Sequence, residues 1–82
     1  MESMLPELVR KIAWAGDGKK GSMRLELGAG PLAGGTLVVH ADGGRVRVEL
    51  NAPAGTDVAA WRTRLHERLE QRGVTVDEVT VE

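Results

Sequence analysis

The apolar residues of this chain change their spacing more than once, and that change of period limits what the chain can build more than any other feature. In three runs between Ser22 and Asn51 they fall on alternate positions, beginning with Met23, Leu25 and Leu27 around Arg24 and Glu26, the pattern of strands with one buried face. Ahead of that stretch, Met4, Leu5, Leu8, Ile12 and Trp14 recur every three or four positions with Glu2, Glu7, Arg10 and Lys11 between them. The spacing predicts an amphipathic helix over residues 1–14. Ser3 is placed to cap it, and Pro6 falls in the first turn, where a missing amide proton leaves no bond unmade. Helical spacing returns with Val58, Trp61, Leu65 and Leu69, in a helix running from a cap at Thr56 or Asp57 to about Arg72, where Gly73 ends it.

The connections are as informative as the elements. Residues 15–21 (AGDGKKG) form a glycine-rich connector, and residues 28–35 (GAGPLAGG) separate the first strand from two further alternating runs, 36–41 and 44–51. Asp42-Gly43 between those runs predicts a type I′ hairpin with Ala41 opposite Gly44. That register sets Val39 against Val46 and Leu37 against Val48 on one face. On the other it sets His40 against Arg45, Val38 against Arg47 and Thr36 against Glu49. A last strand, 74–82, alternates only within the pairs Val74/Val76 and Val79/Val81, so a bulge or turn is expected at Asp77-Glu78.

The expected fold is a single small α+β domain of order α-β-β-β-α-β. An antiparallel three-stranded meander is joined by a C-terminal strand, and one main helix packs on one sheet face. The sheet-and-helix body comprises residues 22–82. Its core is expected to be Leu25, Leu27, Leu37, Val39, Val46, Val48, Val58, Trp61, Leu65 and Leu69, with the other sheet face polar. The helical crossover makes the last strand parallel to its neighbour, most simply at the sheet edge beside the first strand.

Composition narrows the chemistry. The chain has 82 residues, no cysteine, tyrosine or phenylalanine, and two tryptophans. A domain of this size buries roughly 60–65% of its unfolded surface, which leaves little stability to support a deep polar cleft. Disulfides, cysteine zinc sites and thiol nucleophiles are excluded, and His40 and His66 are a poor metal-ligand set, so neither metal nor cofactor is expected. A net charge of −1 argues against a dedicated nucleic-acid or membrane-surface protein. No apolar run reaches the ~20 residues of a membrane span, and the acidic N-terminus does not resemble a signal peptide, so a cytoplasmic protein without direct membrane insertion is expected.

Gly18-Lys19-Lys20-Gly21 has the form of a G-x-x-G nucleic-acid clamp, but a strand follows it where such clamps have a helix. Residues 28–35 lack the spacing and the lysine of a phosphate loop and open no helix. They are instead an apolar loop able to offer Pro31, Leu32, Ala33, Gly34 and Gly35 to a protein partner. Arg24, Arg45 and Arg47 on the polar sheet face, with Lys19 and Lys20, provide an alternative reading as a small nucleic-acid-binding module. No aromatic residue lies in a predicted strand to stack a base, and cross-strand pairing with Glu26 and Glu49 is the simpler account. His66 and Glu70 stand four apart on the exposed side of the second helix, with nothing placed to complete a catalytic set, so no catalytic residue is nominated. Trp61 reads as a core anchor, and Trp14 either staples the first helix to the body or stays at a partner-facing edge.

The ordered combination of Met23-Arg24-Leu25-Glu26-Leu27, the Pro31-Leu32-Ala33-Gly34 loop, the Asp42-Gly43 hairpin with Val46 and Val48, the stripe through Leu65 and Leu69, and Gly73 before a valine-rich end resembles a known family. It is similar to the C-terminal domain of flagellar hook-length control proteins and of the needle-length rulers of type III secretion injectisomes, over about residues 5–82. The flagellar members show proline, one or two variable polar residues, then Leu-Gly. Here Leu32 directly follows Pro31 and Ala33 precedes Gly34, and the glycine-rich insert before Pro31 is closer to the needle rulers. The resemblance implies a noncatalytic domain that switches export substrate specificity, and a monomer is expected. Its partner would be the cytoplasmic domain of the inner-membrane export switch protein. The resemblance also implies a long ruler region ahead of the domain, which these residues do not contain, and a protein that passes unfolded through the secretion channel.

Overall fold

A computed structural model describes residues 5–16, 20–28, 30 and 32–82. Their elements follow the expected order: α1 (Leu5–Gly16), β1 (Lys20–Glu26), β2 (Thr36–Asp42), β3 (Arg45–Asn51), α2 (Val58–Gln71) and β4 (Thr75–Val81). The expected cap at Ser3 lies outside the described residues.

The four strands form one sheet in the order β1-β2-β3-β4, antiparallel except for the parallel pair β3/β4. The last strand therefore lies beside β3, a correction to the expected place beside β1. A single helix with short connections returns the chain most directly to the free edge of the strand it left, and reaching β1 would mean passing over two strands.

The hairpin is also displaced by one residue from its expected place. Gly43 and Gly44, with φ of 60° and 93°, are the turn residues, and Asp42 pairs with Arg45. A type I′ turn needs positive φ at both central positions, and two glycines meet that demand at less steric cost than Asp-Gly. Val39 consequently faces Val48, Leu37 faces Leu50, and His40 faces Arg47 rather than Arg45. Every partner on β3 moves by two positions, so each side chain keeps its expected face. In β4 the register jumps from Val46/Val76 to Arg47/Glu78, which leaves Asp77 as the extra residue of the expected bulge and returns Val79 and Val81 to the core.

Both expected helices cover the apolar face, the first as well as the main one. Leu5, Leu8 and Ile12 of α1 are fully buried against the same cluster as Trp61, Leu65 and Leu69 of α2 and Leu37, Val39, Val46, Val48 and Leu50 of the sheet. Each such side chain contributes about 1.5–3 kcal/mol on burial, so α1 is a structural part of the domain. Gly16 ends α1 against β3, where a Cβ would collide with Val46 Cγ1.

Two expected core residues differ. Leu25 is only half-buried, because β1 is an edge strand, and Val58, the first residue of α2, is 39% exposed. Asp57, not Thr56, caps α2 by accepting a 3.1 Å bond from the Ala60 amide; the Thr56 hydroxyl donates instead to the Pro53 carbonyl at 2.7 Å. At the other end Gly73 (φ 89°) closes a Schellman motif, with Val74 N–H donating to Leu69 O at 3.0 Å and Gly73 N–H to Glu70 O at 3.0 Å.

Candidate functional site

The apolar loop between β1 and β2 is held by its own backbone. Leu27 N–H donates to Gly35 O at 2.9 Å and Gly34 N–H to Leu27 O at 2.7 Å, extending the β1/β2 pairing beyond the strands. Ala33 N–H bonds Gly30 O at 3.1 Å and Gly35 N–H bonds Leu32 O at 2.9 Å. Four bonds within so short a segment make it a shaped structure. Gly34 has φ of 90°, and at Gly35 a Cβ would stand 2.7 Å from Asn51 O and 3.0 Å from Leu32 O.

That geometry corrects the expectation that Leu32 is displayed. Its side chain is fully buried in the common core. Gly35 is buried too, pressed on the β3–α2 turn, whereas Ala33 and Gly34 are exposed. Pro31 lies outside the described residues. A loop that looks apolar in sequence thus divides into an inward anchor, Leu32, and an outward tip, Ala33-Gly34. The turn on which Gly35 rests, residues 51–57, extends this surface with exposed Ala54 and Gly55, followed by the partly exposed Val58. The sequence reading did not assign these to a site, although the NAPAG run shares the small apolar composition of the loop. Glu82 closes the same end, its amide bonded to Leu50 O at 2.9 Å and its carbonyl accepting from Ala52 N–H at 2.7 Å. The surface offers shape and small apolar contacts, with no reactive group among these residues.

The open face of the sheet carries alternating charges. Arg45 donates from Nε and Nη2 to Asp77 Oδ1 at 3.0 and 2.6 Å. His40 Nε2 stands 2.7 Å from Glu49 Oε2, so its partner is the acid diagonal to it and not the arginine opposite. Arg24 and Glu49 line one shallow hollow with Thr80 and Glu82. Acids interleaved among Arg24, Arg45 and Arg47 make this a mixed-charge face, unlike the basic track that a phosphate backbone requires. Lys19 and the start of the G-x-x-G run lie outside the described residues, and Gly21 belongs to β1.

His66 Nδ1 lies 3.0 Å from Glu70 Oε1 along α2, as its spacing predicts. Among the described residues no polar or charged side chain is buried, and no group of three or more histidine, cysteine or carboxylate side chains converges as a metal site. No described helix is long and apolar enough to cross a membrane.

No family model and no curated protein matches the chain. Among solved structures it is similar to the crystal structure of the PscP SS domain, with a TM-score of 0.66 and 20% sequence identity over 99% of this chain and 92% of that one. Correspondence over nearly the whole of both chains extends to both helices and the sheet they cover, so this chain shares the fold of the PscP SS domain.

Proposed function

We propose that the chain is a noncatalytic interaction domain of a type III secretion needle-length regulator, and that it changes export specificity by engaging the export apparatus. The observation that carries this reading is the end-to-end likeness of fold to the PscP SS domain. The ordered resemblance of the loop, hairpin and helix stripe to the switch domains of needle rulers supports it independently. The domain's partner is the cytoplasmic domain of the inner-membrane export switch protein, and its docking surface is the tip Ala33-Gly34, held in position by buried Leu32 and Gly35, together with Pro31. The protein works in the cytoplasm as a monomer and is itself a substrate of the channel.

Small outward residues suit such a surface, because they permit close backbone approach and lose little side-chain entropy on binding. Purified domain mixed with the cytoplasmic domain of the export switch protein tests the reading directly. A complex is expected, and Ala33→Asp, which leaves Leu32 in place, should weaken it about tenfold and delay the switch to late substrates in cells. Absence of a complex sinks the reading of function, whereas a complex indifferent to Ala33→Asp relocates the surface.

A further inference from the structure

The opposite end of the sheet carries a cleft of about 480 Å³ between the C-terminal ends of α1 and α2 and the β2–β3 hairpin. Arg10, Trp14, Gly44, Arg72, Gly73 and Val74 line it. Trp14 is 63% exposed, whereas Trp61 is 3% exposed. On its other side a second hollow of about 180 Å³ reaches Lys20 and Met23. The chain holds 12 acids against 11 bases, yet among the described residues no acid lines either hollow. Neither the Arg10 nor the Arg72 side chain enters an ion pair among the described residues.

We propose that this cleft is a second docking site, for an acidic protein segment that lays a bulky apolar side chain on Trp14 and sets its carboxylates on Arg10 and Arg72, with Lys20 at the rim. An exposed tryptophan offers a large rigid apolar face at low entropic cost, and tryptophan and arginine are the side chains on which binding energy concentrates. Guanidinium groups receive carboxylates bidentately. Charge complementarity selects an acidic partner and disfavours a basic one. Nucleic acid suits the site less well, since its affinity grows with the number of phosphates neutralised and its bases need several stacking rings, whereas among the described residues three cations and one ring line the two hollows. The site stands on this geometry alone and does not depend on the export-switch reading. The seven residues of each strand separate the two ends by about 20 Å, enough for two partners to be held together.

Selection of phage-displayed random peptides on the intact chain, followed by fluorescence titration of the recovered sequences as synthetic peptides, tests the proposal. Sequences rich in Asp and Glu around one large apolar residue are expected. Their affinity should fall about tenfold in the charge-reversal variant Arg10→Glu/Arg72→Glu, fall with rising salt, and stay unchanged in Ala33→Asp. Trp14→Ala should abolish the fluorescence response and weaken binding. If that variant misfolds, the reversal of the two exposed arginines still decides the matter. Recovery of no common sequence, recovery of basic or uncharged peptides, or acidic peptides indifferent to the arginine reversal would each overturn it. So would tighter binding at Trp14 by a single-stranded oligonucleotide than by any recovered peptide.

Discussion

Leu32 sits in a run of glycines and alanines beside a proline, where nothing in the local sequence demands burial, yet its side chain is fully enclosed. The β1–β2 loop therefore has an anchor, and removing it should act as a core truncation. Leu32→Ala is expected to lower stability by about 2–5 kcal/mol, read from the urea midpoint. A change within about 0.5 kcal/mol, the range of ordinary surface substitutions, would restore Leu32 to the surface. Gly35→Ala places a methyl group against two backbone oxygens, at 2.7 and 3.0 Å, that cannot step aside. A loss of about 1–3 kcal/mol is expected, whereas Ala33→Ser, at an exposed position two residues earlier, should be nearly silent. At the head of α2, Asp57→Ala deletes the acceptor for Ala60 N–H and should cost about 1 kcal/mol. The cap was legible because Asp before an apolar-periodic run is a local signal. Burial of Leu32 was not, because it depends on strands and helices far away in the chain.

At the scale of elements, the alternation of valine and leucine identified the faces of β2 and β3, and it did so even though the hairpin turn moved by one residue. A two-residue change of partner leaves parity intact, so the core is indifferent to the shift while the cross-strand neighbours are not. The pair Arg45/Asp77 illustrates the consequence: it joins the start of β3 to the bulge of β4, and the two side chains remain 65% and 45% exposed. Solvent screens such a pair, so Asp77→Asn should change stability by less than about 1 kcal/mol. A larger loss in thermal or urea unfolding would mean that the bulge itself depends on the contact. Helix α1 carries more weight. Its stripe of Leu5, Leu8 and Ile12 is fully buried, so a fragment containing only residues 20–82 should expose the uncovered sheet face, bind a hydrophobic dye and lose cooperative unfolding. A fragment that unfolds as sharply as the whole chain would show α1 to be dispensable.

The whole molecule, 34 × 22 × 19 Å, is a two-layer structure whose described buried side chains are aliphatic apart from Trp61. At about 0.05–0.15 kcal/mol per residue its total stability is modest, so a core truncation such as Leu32→Ala removes a large fraction of it. For a domain that we propose is threaded through a secretion channel, modest stability without disulfides is an asset. The amino-acid sequence by itself determined the six elements, the buried face of each inner strand, an irregularity at Asp77-Glu78 and a cap at Thr56 or Asp57, because periodicity, turn chemistry and capping act over a few residues. Tertiary structure alone decided that β4 joins β3, that Val58 is left exposed, that Leu32 points inward and that Trp14 and Arg72 line one cleft. Each of those outcomes rests on which distant surfaces meet, and that depends on packing the whole chain around one core.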